Sequence, residues 1–285
     1  MARLSTRDMR RELARVRAGG GSARQVQWVH AVLRTALTSA TREEITSRNV
    51  AMLVHTPTVV SHIGRALSIP ETRRILQAAA GDRLEAVFVL AVHLGLRQAE
   101  LLGLRWTDLD LGPNLAAGRL EVLHSLQRVD GRLTLVRPKT PASRRTLPLP
   151  AAVVAALVQH RTRQEIERRA AGGRWIESGM VFTSATGTPL SPDAVRRSWD
   201  RIRQAVEGPV RFHDLRHTCL TLLLEQHTPP HVVQQIAGHA ALYATMTIYA
   251  HASAEQRQSA LDRLGAHLTV GTDLPARKDG TDVRR

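Results

Sequence analysis

The chain has 285 residues, 43% of them apolar, enough to bury one large core or two ordinary ones, so a disordered or fibrous protein is excluded. Lys and Arg number 40 against 25 for Asp and Glu, and a formal charge of +15 points to a polyanionic partner, with nucleic acid the first suspect. The single Cys219 excludes an intrachain disulfide and any Cys-built zinc site, and no apolar run has the length of a membrane span or a signal core, so a cytoplasmic protein without membrane attachment is expected.

In chain order, residues 5–19 read as an Arg-rich helix stopped by Gly19-Gly20-Gly21. Ser22 and Gln25 form a capping-box pattern that opens a second helix over 22–40. Its apolar positions Val26, Val29, Val32, Leu33, Ala36 and Leu37 repeat at helical spacing, and this stripe is expected to lack partner helices in so short a segment. Residues 56–67 lose the periodicity before a second capping box, Ser68 to Glu71, starts the next helical stretch. From 82 to about 104 the pattern is helical and strongly apolar, broken once by Gly95, so two helices are predicted to meet near Arg97.

The period then changes. Residues 118–148 read as two hairpin-linked strands around Asp130-Gly131 and a third strand, RRTLPL, with Lys139 in the turn between. Helical patterns return at 150–170, 192–206, 213–227, 230–237 and 253–267, and the polar tail from 269 is expected to be loose. The fold class predicted is mainly α with a small antiparallel β-sheet, an α+β arrangement.

The stretch richest in chemistry is RFHDLRHT at 211–218, where His213 and Arg216 stand three apart on one helix face, followed by His217. For one His and one Arg alone, a solvated polar face is the default reading. Here they have company in Gly238-His239 and in Thr247-Ile-Tyr249-Ala-His251, and Tyr occurs only at 243 and 249. A phosphodiester under attack gathers charge on its non-bridging oxygens, which planar, permanently charged arginines such as Arg97 and Arg216 can match. Tyr249 is a candidate nucleophile at phosphorus, with His213 drawing off its proton. The departing alkoxide wants an acid, a role open to Lys but closed to Arg, and Lys occurs only at 139 and 278.

GLRQAELLGLRWTDLDL at 95–111, Lys139, HDLRH at 213–217, GH at 238–239 and TMTIYAH at 245–251 together resemble the tyrosine recombinases, or phage-type integrases, over about residues 68–268. The resemblance implies an arginine clamp of Arg97 and Arg216, with Lys139 as general acid, His213 as proton-transfer partner and His239 completing the phosphate site. Tyr249 would form a 3′-phosphotyrosyl link, and Glu100 resembles the acidic residue that orients the clamp. It further implies no metal and no nucleotide cofactor, double-stranded DNA as partner, and a homo-oligomer on DNA, a tetramer in synapsis. Ala237 and Ala240 depart from the larger apolar residue and the Ser common beside this Gly-His pair. The organisation expected is a partial helical core-binding domain at 1–58, a linker at 59–67, a catalytic domain at 68–268 and a flexible tail at 269–285, without an arm-binding domain.

Three other readings compete. HDLRH approximates a His-Glu-x-x-His zinc signature, although Arg216 would place a permanent cation between the two ligands. A non-catalytic basic DNA-binding remnant would satisfy the charge but leaves the Lys139 and Tyr249 contexts unexplained. A relaxing type IB topoisomerase shares the chemistry. Cys219 is read as a small core residue, the four Trp as packing groups, and His217 and His251 as either site lining or packing.

Overall fold

In the computed structural model, residues 4–57, 64–112, 118–137 and 144–238 are described, with Gln258 and Asp262 beyond them. The chain forms two compact units, Met1–Ile63 and Gly64–Arg285.

The first unit holds α1 (Thr6–Ala18), α2 (Ala23–Arg42) and a 3-10 turn at Val50–Leu53. Both helices start on reciprocal caps, Ser5 with Asp8 and Ser22 with Gln25, so two of the backbone donors left open at each start are satisfied locally. Met9 and Leu13 of α1, Val26 of α2, and Ala51 and Val54 form a small core, and Val29, Leu33 and Leu37 pack against it. The apolar stripe of α2 is therefore covered in part: Val26, Val29, Leu33 and Leu37 have partners, contrary to the expectation from sequence, while Val32 and Ala36 stay exposed. The cover comes from α1 and from the 3-10 turn, which is too short to show a helical period. His30 Nε2 and the Ala51 carbonyl, 2.9 Å apart, fasten that turn to α2. Val32 and Trp28 lie off the covered face, 68% and 63% exposed, so Trp28 is not a packing group as read.

In the second unit α3 (Ile69–Ala79) starts on the Ser68–Glu71 capping box and leads to α4 (Glu85–Leu94). Seven residues of α4, among them Phe88, Leu90 and Leu94, are buried, so this helix is apolar nearly all round and lies in the middle of the core. It packs on α6 (Ala151–Ala171) and α8 (Asp214–Glu225). Phe88, Trp199 of α7 (Pro192–Ile202) and Phe212 form an aromatic triad with centroids 6.0–6.1 Å apart. Helix α9 (Pro230–Ala237) follows α8.

The antiparallel region is two sheets rather than one. Strand β2 (Arg119–Val122) pairs with β1 (Leu109–Asp110) on one side and β5 (Arg145–Pro148) on the other, while β3 (Ser125–Val129) and β4 (Arg132–Val136) form a separate hairpin. Leu120, Val122 and Leu126 are all buried, so the period of two runs on through the break at 123–124. Alternation reports which face a residue occupies and carries no information about which neighbour it pairs with, so the split was invisible in sequence. The helix read at 253–267 lies outside the described residues except for Gln258 and Asp262, both helical and joined by a 2.8 Å hydrogen bond.

Candidate active site

The site is built where α4 ends. Gly95 adopts φ +57°, a left-handed conformation that turns the chain sharply out of the helix. Arg97 follows as the cap of α5 (Gln98–Leu102), and Glu100 closes the turn by accepting from the Arg97 backbone N–H at 2.9 Å and from its Nη1 at 2.7 Å. Arg97 keeps 38% of its side chain exposed, whereas Glu100 is buried. Burial pushes the Glu100 carboxyl up, but hydrogen bonds and charge from Arg145, then Arg97, outweigh it and hold the group below the usual carboxylate range.

Arg216 stands in the first turn of α8 and is enclosed. One Nη donates to the Gly95 carbonyl and the other to the Ala237 carbonyl at 2.7 Å, while Arg97 Nη2 donates to the Gly238 carbonyl at 3.3 Å. The two arginines thus grip adjacent carbonyls at the end of α9, with Glu100 paired to Arg97. Burial, and next the Arg97 charge, lower the Arg216 guanidinium to about 10, so it remains a cation at neutral pH.

His213 caps α8 and its ring meets His217 edge to face, with centroids 5.2 Å apart. Burial first, then the neighbouring His217 and Arg216, pull the His213 imidazole below its ordinary value. His217 is lowered as well, by burial and by Arg216 against the opposing charge of Asp214. Both rings are therefore neutral at pH 7, the form that accepts a proton. Beside His213 opens a cleft of about 520 Å³, rimmed by Gln98, Arg196, Arg203 and Arg211 over Trp199 and Phe212.

Cys219 lies one turn past Arg216, buried against Gly95, and burial pushes its thiol up to about 12, which makes it an inert packing group. The zinc alternative needs a third protein donor beside His213 and His217, and among the described residues no three His, Cys, Asp or Glu groups are placed to hold a metal. Lys139, His239, Tyr249 and His251 lie outside the described residues.

One residue escaped the sequence reading. Arg145, at the start of β5, puts its Nη2 2.9 Å from Glu100 Oε2 and its Nε 2.8 Å from the Ile236 carbonyl. A signal was available: strand alternation sets Arg145 on the same face as Leu147 and Leu149, both buried, so an inward-pointing arginine needed an inward acid.

Comparison with known proteins gives this arrangement its class. Residues 65–256 match the phage integrase family model. A tyrosine recombinase XerC-like protein of Caldanaerobacter subterraneus is 34% identical over 211 residues, covering 68% of this chain and 52% of its own. An integrase of Streptomyces ambofaciens is 34% identical over 259 residues, 86% of this chain and 64% of its own. A solved structure of the Tn1549 transposon integrase with circular intermediate DNA shares the fold, with a TM-score of 0.74 at 22% identity over 91% of this chain and 85% of that one. The chain belongs to the phage integrase family of tyrosine recombinases. It spans between about half and two thirds of the length of the two relatives named.

Proposed function

We propose that the protein cuts and rejoins DNA strands at a specific site through a 3′-phosphotyrosyl intermediate, serving integration or excision of a mobile element. The observation that carries this reading is the convergence of Arg97 and Arg216 on adjacent carbonyls, with Glu100 behind them and His213 at the head of α8. Arg97, Arg145 and Arg216 against one buried carboxylate leave a positive focus, suited to a phosphodiester that gains charge as it is attacked. Arg97 is the outward arm; Arg216 supplies field from within.

In the proposed reaction the Tyr249 oxygen attacks phosphorus and its proton passes to neutral His213. The bond from phosphorus to the 5′ oxygen breaks, and Lys139 protonates that oxygen while His239 supports a non-bridging oxygen. Phosphotyrosine and a free 5′-hydroxyl remain, and attack by the 5′-hydroxyl of another strand reverses the step, so the bond is conserved without a nucleotide or metal cofactor. The partners are double-stranded DNA carrying the recombination site and further copies of the chain, four in synapsis. Residues 1–58, whose α1 carries Arg7, Arg10, Arg11, Arg15 and Arg17, form the DNA-binding domain that precedes the catalytic one at 68–268.

The test is a nicked duplex whose cleavage releases a short fragment and traps the covalent complex. Wild-type protein and Tyr243→Phe should give a band that survives denaturation, and Tyr249→Phe should give none. A band kept by Tyr249→Phe overturns the assignment of the nucleophile. Its absence with wild-type protein returns the chain to a DNA-binding role without catalysis.

A further inference from the structure

The Arg145 side chain is 7% exposed, and its guanidinium is committed inside the protein. Each carboxylate oxygen of Glu100 is shared between two arginines. Oε1 accepts Arg97 Nη1 at 2.7 Å and Arg145 Nη1 at 3.3 Å; Oε2 accepts the Arg97 backbone N–H and Arg145 Nη2, both at 2.9 Å. Any shift of Arg145 therefore moves the carboxylate on which Arg97 leans. The same guanidinium donates from Nε to the Ile236 carbonyl at 2.8 Å and lies flush against Gly238, where a Cβ would fall 2.6 Å from Nη1. The intervening Ala237 carbonyl holds Arg216, and the Gly238 carbonyl holds Arg97. One side chain thus holds the carboxylate that supports Arg97 and contacts residues 236 and 238, on either side of the Ala237 carbonyl that supports Arg216. Only a planar fork with several fixed donors spans acceptors on two sides at once; a lysine ammonium keeps the charge but not that geometry. A buried ion pair is in itself a weak source of stability, so holding geometry is the better account of this arrangement.

We infer that Arg145 is a positioning residue for strand cleavage, setting Arg97 and the carbonyl ladder at 236–238 in register so that the clamp meets the scissile phosphate. The inference rests on the strand-exchange reading above. It accounts for the burial of Arg145 beside an exposed Arg97, for glycine at 238, and for a carboxylate shared by two cations.

The experiment measures single-turnover cleavage of a nicked duplex and equilibrium DNA binding by anisotropy, on the full chain, for wild type, Arg97→Lys, Arg145→Lys and the double variant. Arg145→Lys should lower the cleavage rate about a hundredfold, the scale of an ångström-sized misplacement, while the dissociation constant stays within about threefold. Because Arg145 acts by placing Arg97 through their shared Glu100, the double variant should fall little below Arg97→Lys alone. Gly238→Ala reaches the same guanidinium from the other side and should reproduce the split; should Arg145→Lys fail to fold, the same measurements on Gly238→Ala decide. Parallel loss of binding and cleavage with a lowered melting temperature marks a structural role and overturns the inference. So does a double variant whose loss is the product of the single losses. Wild-type protein that binds DNA yet forms no covalent product overturns the strand-exchange reading itself, an outcome distinct from either.

Discussion

Arg97 and Arg216 are the same residue type in different states: one keeps over a third of its surface, the other has both terminal nitrogens on backbone carbonyls. That division of labour fits a clamp in which an inner cation shapes the field and an outer one meets the ligand. Lys139 is the complementary case, a residue that can release a proton in a chain with only one other lysine, Lys278. Lys139→Arg should bind DNA nearly as well and cleave slowly, and a 5′-thiol leaving group, which needs no acid, should restore the rate. Slow cleavage of both substrates would make Lys139 a phosphate ligand instead.

At the scale of elements, the clamp depends on the turn between α4 and α5. A Cβ on Gly95 would fall 3.2 Å from the Cys219 sulfur, and φ +57° is unfavourable for any side chain, so Gly95→Ala should cost about 1–3 kcal/mol in urea unfolding. Since the Gly95 carbonyl accepts from Arg216, cleavage should fall further than the stability loss alone explains. The cleft between α7 and the His213 turn carries Arg196 on an exposed position. If DNA phosphates line that rim, Arg196→Ala should reduce the slope of log K against log salt by about 0.9, with no change in site preference. An unchanged slope would place the DNA backbone elsewhere.

For the whole molecule, protonation sets an acid limit to stability. His160, His213 and His217 are all held below the ordinary histidine value of 6.5, with burial the largest cause in each case. The folded state therefore binds fewer protons than the unfolded chain, so this contribution is fully present above pH 6.5 and is lost as pH falls through the depressed values. Asp82 and Glu100, held below their ordinary 3.8 and 4.5, add a second loss at lower pH still. Thermal melts should be level from pH 8 to 7 and fall steadily from 6.5 to 5. A melting temperature that rises on acidification would contradict the burial of these rings.

The sequence alone determined the caps, the helices and the order of the site residues, because these rest on short-range physics. Ser22 with Gln25, Ser68 with Glu71, and the break at Gly95 lie within a turn or two of what they control. It also placed His213 and Arg216 as candidates, since three-residue spacing on a helix already puts side chains on one face, and Arg97 at the break between two helices, while Glu100 came from the family resemblance. Tertiary structure decided what pairs with what. The cover of the α2 stripe by a 3-10 turn, the division of the strands into two sheets, and the bond from Arg145 to Glu100 join residues far apart in the chain. Local periodicity says which face turns inward; only the folded core says which buried charge waits there, because an inward guanidinium is tolerable solely where the packing of distant segments brings it an acid.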